Sequence, residues 1–294
     1  MNRRQLISTL SALGLITALP LAQAAQPLEL QIYNPGENAI FPVSSTIVSG
    51  AHEVVLIDAQ FQRNDAEELV RKLKAGGKKL TTVYISHGDP DYYFGLDVIQ
   101  AAFPDARIVA TAPTVAHIKA TMDGKLAYWG PILKDNAPHK LVLPEVLAGD
   151  TLKLEGRSLE IKGLDGASPE RSYLWIPSLK TVAGGVVVAS GIHVWVADTQ
   201  SAKNRSDWQT TLNSIAALKP AAVVPGHTLG ELPKGLGAVK YTSAYLKAFE
   251  AEAEKAQNSA ELVAAMKARY AQAGEEASLE LSAKVIKGEM KWPQ

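Results

Sequence analysis

Residues 84–95 read Tyr-Ile-Ser-His-Gly-Asp-Pro-Asp-Tyr-Tyr-Phe-Gly, YISHGDPDYYFG. They grow out of the apolar run Leu80-Thr-Thr-Val-Tyr-Ile-Ser86, which has strand character, so His87, Asp89 and Asp91 fall just past a strand's C-terminal end. Folds that alternate strands and helices put ligand sites there. In a tight loop, side chains at i, i+2 and i+4 converge, and imidazole and carboxylate both suit divalent first-row metals. Gly88 and Pro90 help such a loop hold one conformation. The same stretch also reads as a turn whose aspartates cap the following helix, and these residues alone leave both readings open.

Working outward, LELQIYN (28–34), STIVSG (45–50) and EVVLIDA (53–59) read as strands. Asn64 with Glu67 has the spacing of a capping box, and Ala66, Leu69, Val70 and Leu73 follow at helical period until Gly76-Gly77. A helix over 93–102 and a strand at ARIVAT (106–111) continue the alternation, which predicts an α/β layer with buried strands. Several short strands follow over 151–188. A helix predicted to begin at Ser206, with Gln209 completing its capping box, carries Trp208, Leu212 and Ile215 on one face. AAVVPGH (221–227) reads as a last buried strand delivering His227, and the chain is helical in character from about 240. Two histidines at two strand ends fit one shared site.

Composition narrows the function. Lys+Arg and Asp+Glu are both 30, which gives no reason to expect nucleic acid or an anionic membrane as partner. There are no cysteines, so thiolate metal sites, iron–sulfur clusters and cysteine nucleophiles are excluded. The first residues run charged (Arg3, Arg4), apolar, then Ala22-Gln23-Ala24, the layout of a secretory leader cleaved after Ala24. Arg3-Arg4 also has the look of a twin-arginine signal. The expectation is a periplasmic or secreted protein without a lasting membrane span. Residues 25–294 are expected to form a single domain with a helical section from 240.

Ser86-His87-x-Asp89-x-Asp91-Tyr92, Gly184-Gly185 and Pro225-Gly226-His227, in that order, resemble the metallo-β-lactamase superfamily. Asp58 at the end of LIDA, GIHVWVAD (191–198) and the Trp208 helix are similar to its glyoxalase-II-like branch. The resemblance implies an αββα sandwich with a metal site at one edge of its two sheets. It also implies hydrolysis of a small-molecule substrate: an ester, thioester, lactone or β-lactam.

The family pattern is His-x-His-x-Asp-His, a later His, a bridging Asp and a final His, which together hold two metal ions. On that alignment His87, Asp91 and His227 keep their positions, Asp89 and Tyr92 replace histidines, and Gly185 replaces the bridge. Residues 163–172, where a third histidine is expected, offer only Asp165 as a ligand. The expected metal set is therefore His87, Asp89, Asp91, His227 and Asp165. It is too small for two ions and adequate for one, zinc first, manganese or iron(II) next. Asp91 is expected as general base, Tyr92 as hydrogen-bond donor, and His193 as a residue of the pocket wall with Trp195 and Trp129. An aspartate placed at Gly185 is expected to supply the missing bridge. His52, His117 and His139 are read as surface residues, and the Ala-rich faces of the C-terminal helices suit either a cover over the active-site face or a homodimer interface. The competing reading is a metal-free binding protein that keeps the fold and has lost the reaction.

Overall fold

Alternation along three neighbouring strands sets the layers. In the computed structural model, which describes residues 26–292 apart from residue 167, Val54, Leu56, Val83, Ile85, Ile108 and Ala110 point to one side of a sheet. Val55, Ile57, Tyr84 and Val109 point to the other. Successive strand residues face opposite sides, so a run apolar at every position must be covered on both.

In chain order the elements are β1 (Glu29–Tyr33), β2 (Ser45–Ser49), β3 (Glu53–Ile57), α1 (Arg63–Ala75), β4 (Lys79–Ile85), α2 (Pro90–Tyr93), α3 (Leu96–Ala102) and β5 (Arg107–Ala110). The long helix α4 (Ala112–Leu133) precedes β6 (Glu145–Val146), β7 (Thr151–Leu154), β8 (Arg157–Lys162), β9 (Tyr173–Ile176), β10 (Thr181–Ala183) and β11 (Ala189–Ser190). Then come α5 (Ala202–Ala217), β12 (Ala222–Val223), β13 (His227–Thr228), α6 (Gly237–Lys255), α7 (Ser259–Arg269) and α8 (Glu276–Ile286). The first sheet runs β1-β2-β3-β4-β5-β6, antiparallel as far as β3 and parallel beyond it. The second runs β12-β10-β9-β8-β7, and β11 pairs with β13 separately.

Three apolar layers hold these elements together. Between the sheets, Val55, Ile57 and Tyr84 meet Leu154, Leu159, Leu174 and Ile176. α1, α3 and α4 cover the outer face of the first sheet through Leu69, Leu73, Ile99 and Ile118. α5 to α8 cover the second through Trp208, Leu212, Tyr245, Phe249, Leu262 and Leu279. Each such side chain contributes about 1.5–3 kcal/mol by leaving water. The result is the expected αββα sandwich.

Local details differ from the sequence reading. α1 starts one residue before Asn64, with Gln62 as N-cap and no side-chain cap bond. α5 starts at Ala202, where the Ser201 hydroxyl accepts from the Asn204 amide, so Ser206 lies inside the helix. Residues 221–227 form two short pieces, β12 in the second sheet and β13 beside β11, rather than one strand. α4 carries no sequence expectation; Gly124, Gly130 and Pro131 interrupt its helical pattern. The leader falls outside the described residues, among which no helix is long and apolar enough to cross a membrane.

Candidate active site

The motif loop is fixed from below by a buried carboxyl group. Asp58, at the end of β3 with φ +66°, accepts hydrogen bonds from the Ser86 amide (2.8 Å) and the Ser86 hydroxyl (2.7 Å). The Ser86 hydroxyl in turn accepts from the Gly185 amide at 2.6 Å. One chain of contacts thus ties the ends of β3 and β4 to the loop after β10. Burial is the main influence on Asp58, and it raises the carboxyl to about 7 despite the Ser86 bonds.

Four of the five expected metal ligands are brought to this edge, as two separate pairs. His87 Nε2 lies 3.1 Å from Asp89 Oδ2, and His87 Nδ1 lies 3.1 Å from the Glu170 carbonyl. His227 Nε2 lies 2.6 Å from Asp91 Oδ2, and its Nδ1 lies 3.1 Å from the Tyr92 hydroxyl. The Tyr92 ring meets both imidazoles edge-on, at 5.5 Å between centroids in each case. Burial would lower the His227 imidazole, but the hydrogen bond and charge of Asp91 outweigh it and hold it above its usual range. Burial, reinforced by Asp91 and Asp58, keeps the Tyr92 phenol neutral.

Asp89 has a second partner that the sequence reading does not anticipate. Lys125 of α4 places its ammonium 2.9 Å from Asp89 Oδ1, 2.9 Å from the Gly88 carbonyl and 3.2 Å from His117 Nε2. Burial would raise the Asp89 carboxyl; the charges of His87 and Lys125 overcome it and hold the group well below the usual carboxylate range. His117, read from sequence as a surface residue, is therefore part of this cluster, whereas His52 and His139 are exposed as expected.

Asp165 and His193 are not brought to this edge. Asp165 is exposed on the turn after β8, and the ligand that its loop offers is the Glu170 carbonyl. His193 is buried in the second-sheet core, its Nδ1 3.0 Å from the Tyr245 hydroxyl, so it does not line the site's wall. Trp195 and Trp292 both donate to Asp198, whose carboxyl is raised by burial and then by the charge of Asp89. Trp129 packs against Phe41 and Phe61. Arg171 is buried with its guanidinium 4.7 Å from the Trp208 ring. The α7–α8 connection reaches the same edge, since Glu275 acts on His227 by its charge.

These residues, as arranged, do not fit the family's metal pair, nor a closed single-ion site. A protein-held zinc takes three or four protein donors. Among the described residues no group of three or more His, Asp or Glu is placed to hold an ion. The His87 and His227 imidazoles each have a partner on both nitrogens, and both Asp89 oxygens are engaged. Nor can the bridge be restored at Gly185. Its φ is +82°, and a Cβ there would lie 2.3 Å from the Ser172 carbonyl oxygen. The expected gain from an aspartate at that position is overturned by backbone crowding.

Comparison with known proteins agrees with the fold. A structure from Pontibacter korlensis described as a metallo-beta-lactamase is similar at 18% identity and TM-score 0.53, covering 76% of this chain and 97% of that one. A metallo-beta-lactamase family protein from Thermus thermophilus is similar at 15% identity and TM-score 0.62, covering 89% and 91%. The DIM-1 metallo-beta-lactamase, exposed to ceftazidime, gives 18% identity and TM-score 0.55 over 76% and 94%. No curated protein matches the sequence. The family model described as "Metallo-beta-lactamase superfamily" matches residues 39–227, well over half of the chain, and this protein belongs to that superfamily.

Proposed function

We propose that the chain binds a small molecule at the superfamily's site edge without a resident metal, as a binding protein built on a hydrolase-like fold. One observation carries this reading: the His87–Asp89 and Asp91–His227 pairs are each closed on themselves by side chains and backbone of the same chain. A hydrolytic site needs a nucleophile or activated water, a base with a free lone pair, and an open position between them. His227 bonds through both nitrogens, and Lys125 covers Asp89. The sequence alone favours a hydrolase with one metal ion, because three ligand positions are kept; the arrangement of those ligands shifts the balance.

The mononuclear hydrolase is the second reading. It is favoured by Asp91 Oδ2 and His227 Nε2 facing each other at 2.6 Å, two donor atoms that an ion could share. Assays with esters, lactones and thioesters, with zinc, manganese or iron(II) and then with chelator, separate the two readings. No metal-dependent turnover is expected. Turnover that needs metal and vanishes in His227→Ala would establish the hydrolase instead.

The leader supports export to the periplasm or the medium. N-terminal sequencing of the exported protein is expected to begin at Ala25; an intact Met1 in a membrane fraction would contradict export by cleavage.

A further inference from the structure

The geometry points to Lys125 as a tethered cation that takes the electrostatic place of a metal ion at Asp89; the inference rests on the metal-free reading above. Where the family pattern has a neutral histidine, this chain has an acid, and a carboxylate in a crowded site requires a counter-charge. α4 supplies it. The Lys125 and Asp89 side chains are only 21% and 24% exposed. The ammonium has three protons and three acceptors within reach: a carboxylate, a carbonyl and an imidazole. Those acceptor types are also common ligands of a divalent ion. With every proton engaged, Lys125 has none left for a ligand, which distinguishes a counter-ion from a substrate-binding lysine.

Two further features show that the loop and the helix are shaped for each other. Gly88 has no side chain where His117 approaches; a Cβ there would lie 2.5 Å from His117 Cδ2. His117 and Lys125 are eight residues apart, close to two helical turns, so one face of α4 delivers both. The helix is anchored at its start by the Thr111 cap and further along by Trp129 against Phe41 and Phe61.

A double-mutant cycle tests this on the full mature chain, read as thermal unfolding with and without added zinc. Lys125→Met is expected to lower Tm by several degrees, because it leaves Asp89 charged beside His87 alone. Asp89→Asn with Lys125→Met is expected to recover most of that loss, and Lys125→Arg to stay close to wild type. Zinc is expected to raise Tm in Lys125→Met and not in wild type. Additive effects of the two substitutions, or an unchanged Tm in Lys125→Met, would overturn the role given to Lys125 even where wild type ignores zinc. A zinc-induced rise in wild-type Tm would overturn the metal-free reading itself.

Discussion

The two His–Asp pairs at the sheet edge have similar chemistry and opposite support. Asp91–His227 is held from inside, by a tyrosine with no exposed surface and by strands at the end of the sandwich. His87–Asp89 is held from outside, by the ammonium of a helix that lies partly in solvent. In the inner pair Asp91 and Tyr92 are buried, so the position of His227 is set by side chains whose packing cannot change without cost to the fold. In the outer pair His87 is held by the Glu170 carbonyl and the Tyr92 ring, whereas its acid, Asp89, depends on one long, flexible side chain and is open to electrostatic change. A histidine-to-acid replacement at 89 is therefore tolerable, because a single lysine answers it.

The sharpest way to break this contrast is at Gly185. Gly185→Asp is expected to prevent folding, or to cost more than about 4 kcal/mol, since it forces a side chain against the Ser172 carbonyl at positive φ. Denaturant unfolding and soluble yield check this, and a well-folded variant that gained metal would reverse it. Tyr92→Ala comes next, at about 3–5 kcal/mol for a fully buried aromatic. Tyr92→Phe, which removes only the hydroxyl facing His227, is expected to cost about 1 kcal/mol. Equal losses in the two variants would mean that the ring does not support the inner pair.

A gentler probe is pH. Asp58 keeps its proton in the folded chain up to about 7, whereas the unfolded chain releases it near the ordinary carboxylate value of 3.8. Between those limits the native state binds the extra proton, so this group's contribution to stability falls as pH rises, by about 1.4 kcal/mol per unit at most. Asp58→Asn is expected to flatten that slope in denaturant titrations from pH 4 to 7. An unaltered slope would show that Asp58 is already ionised. The smallest expected effect is His117→Ala, under about 1 kcal/mol, because Lys125 keeps its other two acceptors.

The same contrast explains what the sequence discloses. Strands buried on both faces write themselves as continuous apolar runs, and a ligand motif at a strand end is local, so the α/β layer and the positions of His87, Asp89, Asp91 and His227 are readable, while the second sheet of the sandwich is implied only by the family resemblance. Lys125 is not, because its contact spans 36 residues and its helix is interrupted by Gly124, Gly130 and Pro131. Asp165 misleads for a related reason: composition shows which residues a loop contains but not which of them turns inward, and here a backbone carbonyl does. His193 sits in a segment of the right family character, yet its neighbours Val194 and Val196 carry it into the core. Ser206 imitates a cap because a serine before an apolar period looks the same at the start of a helix and one turn inside it.

The most direct test of the central claim is elemental analysis of the mature protein, purified without chelator or histidine tag and again after dialysis against zinc. The account predicts well under one equivalent of zinc, manganese or iron in both samples. One equivalent that disappears in His87→Ala and His227→Ala would contradict it and make the two pairs a single metal site.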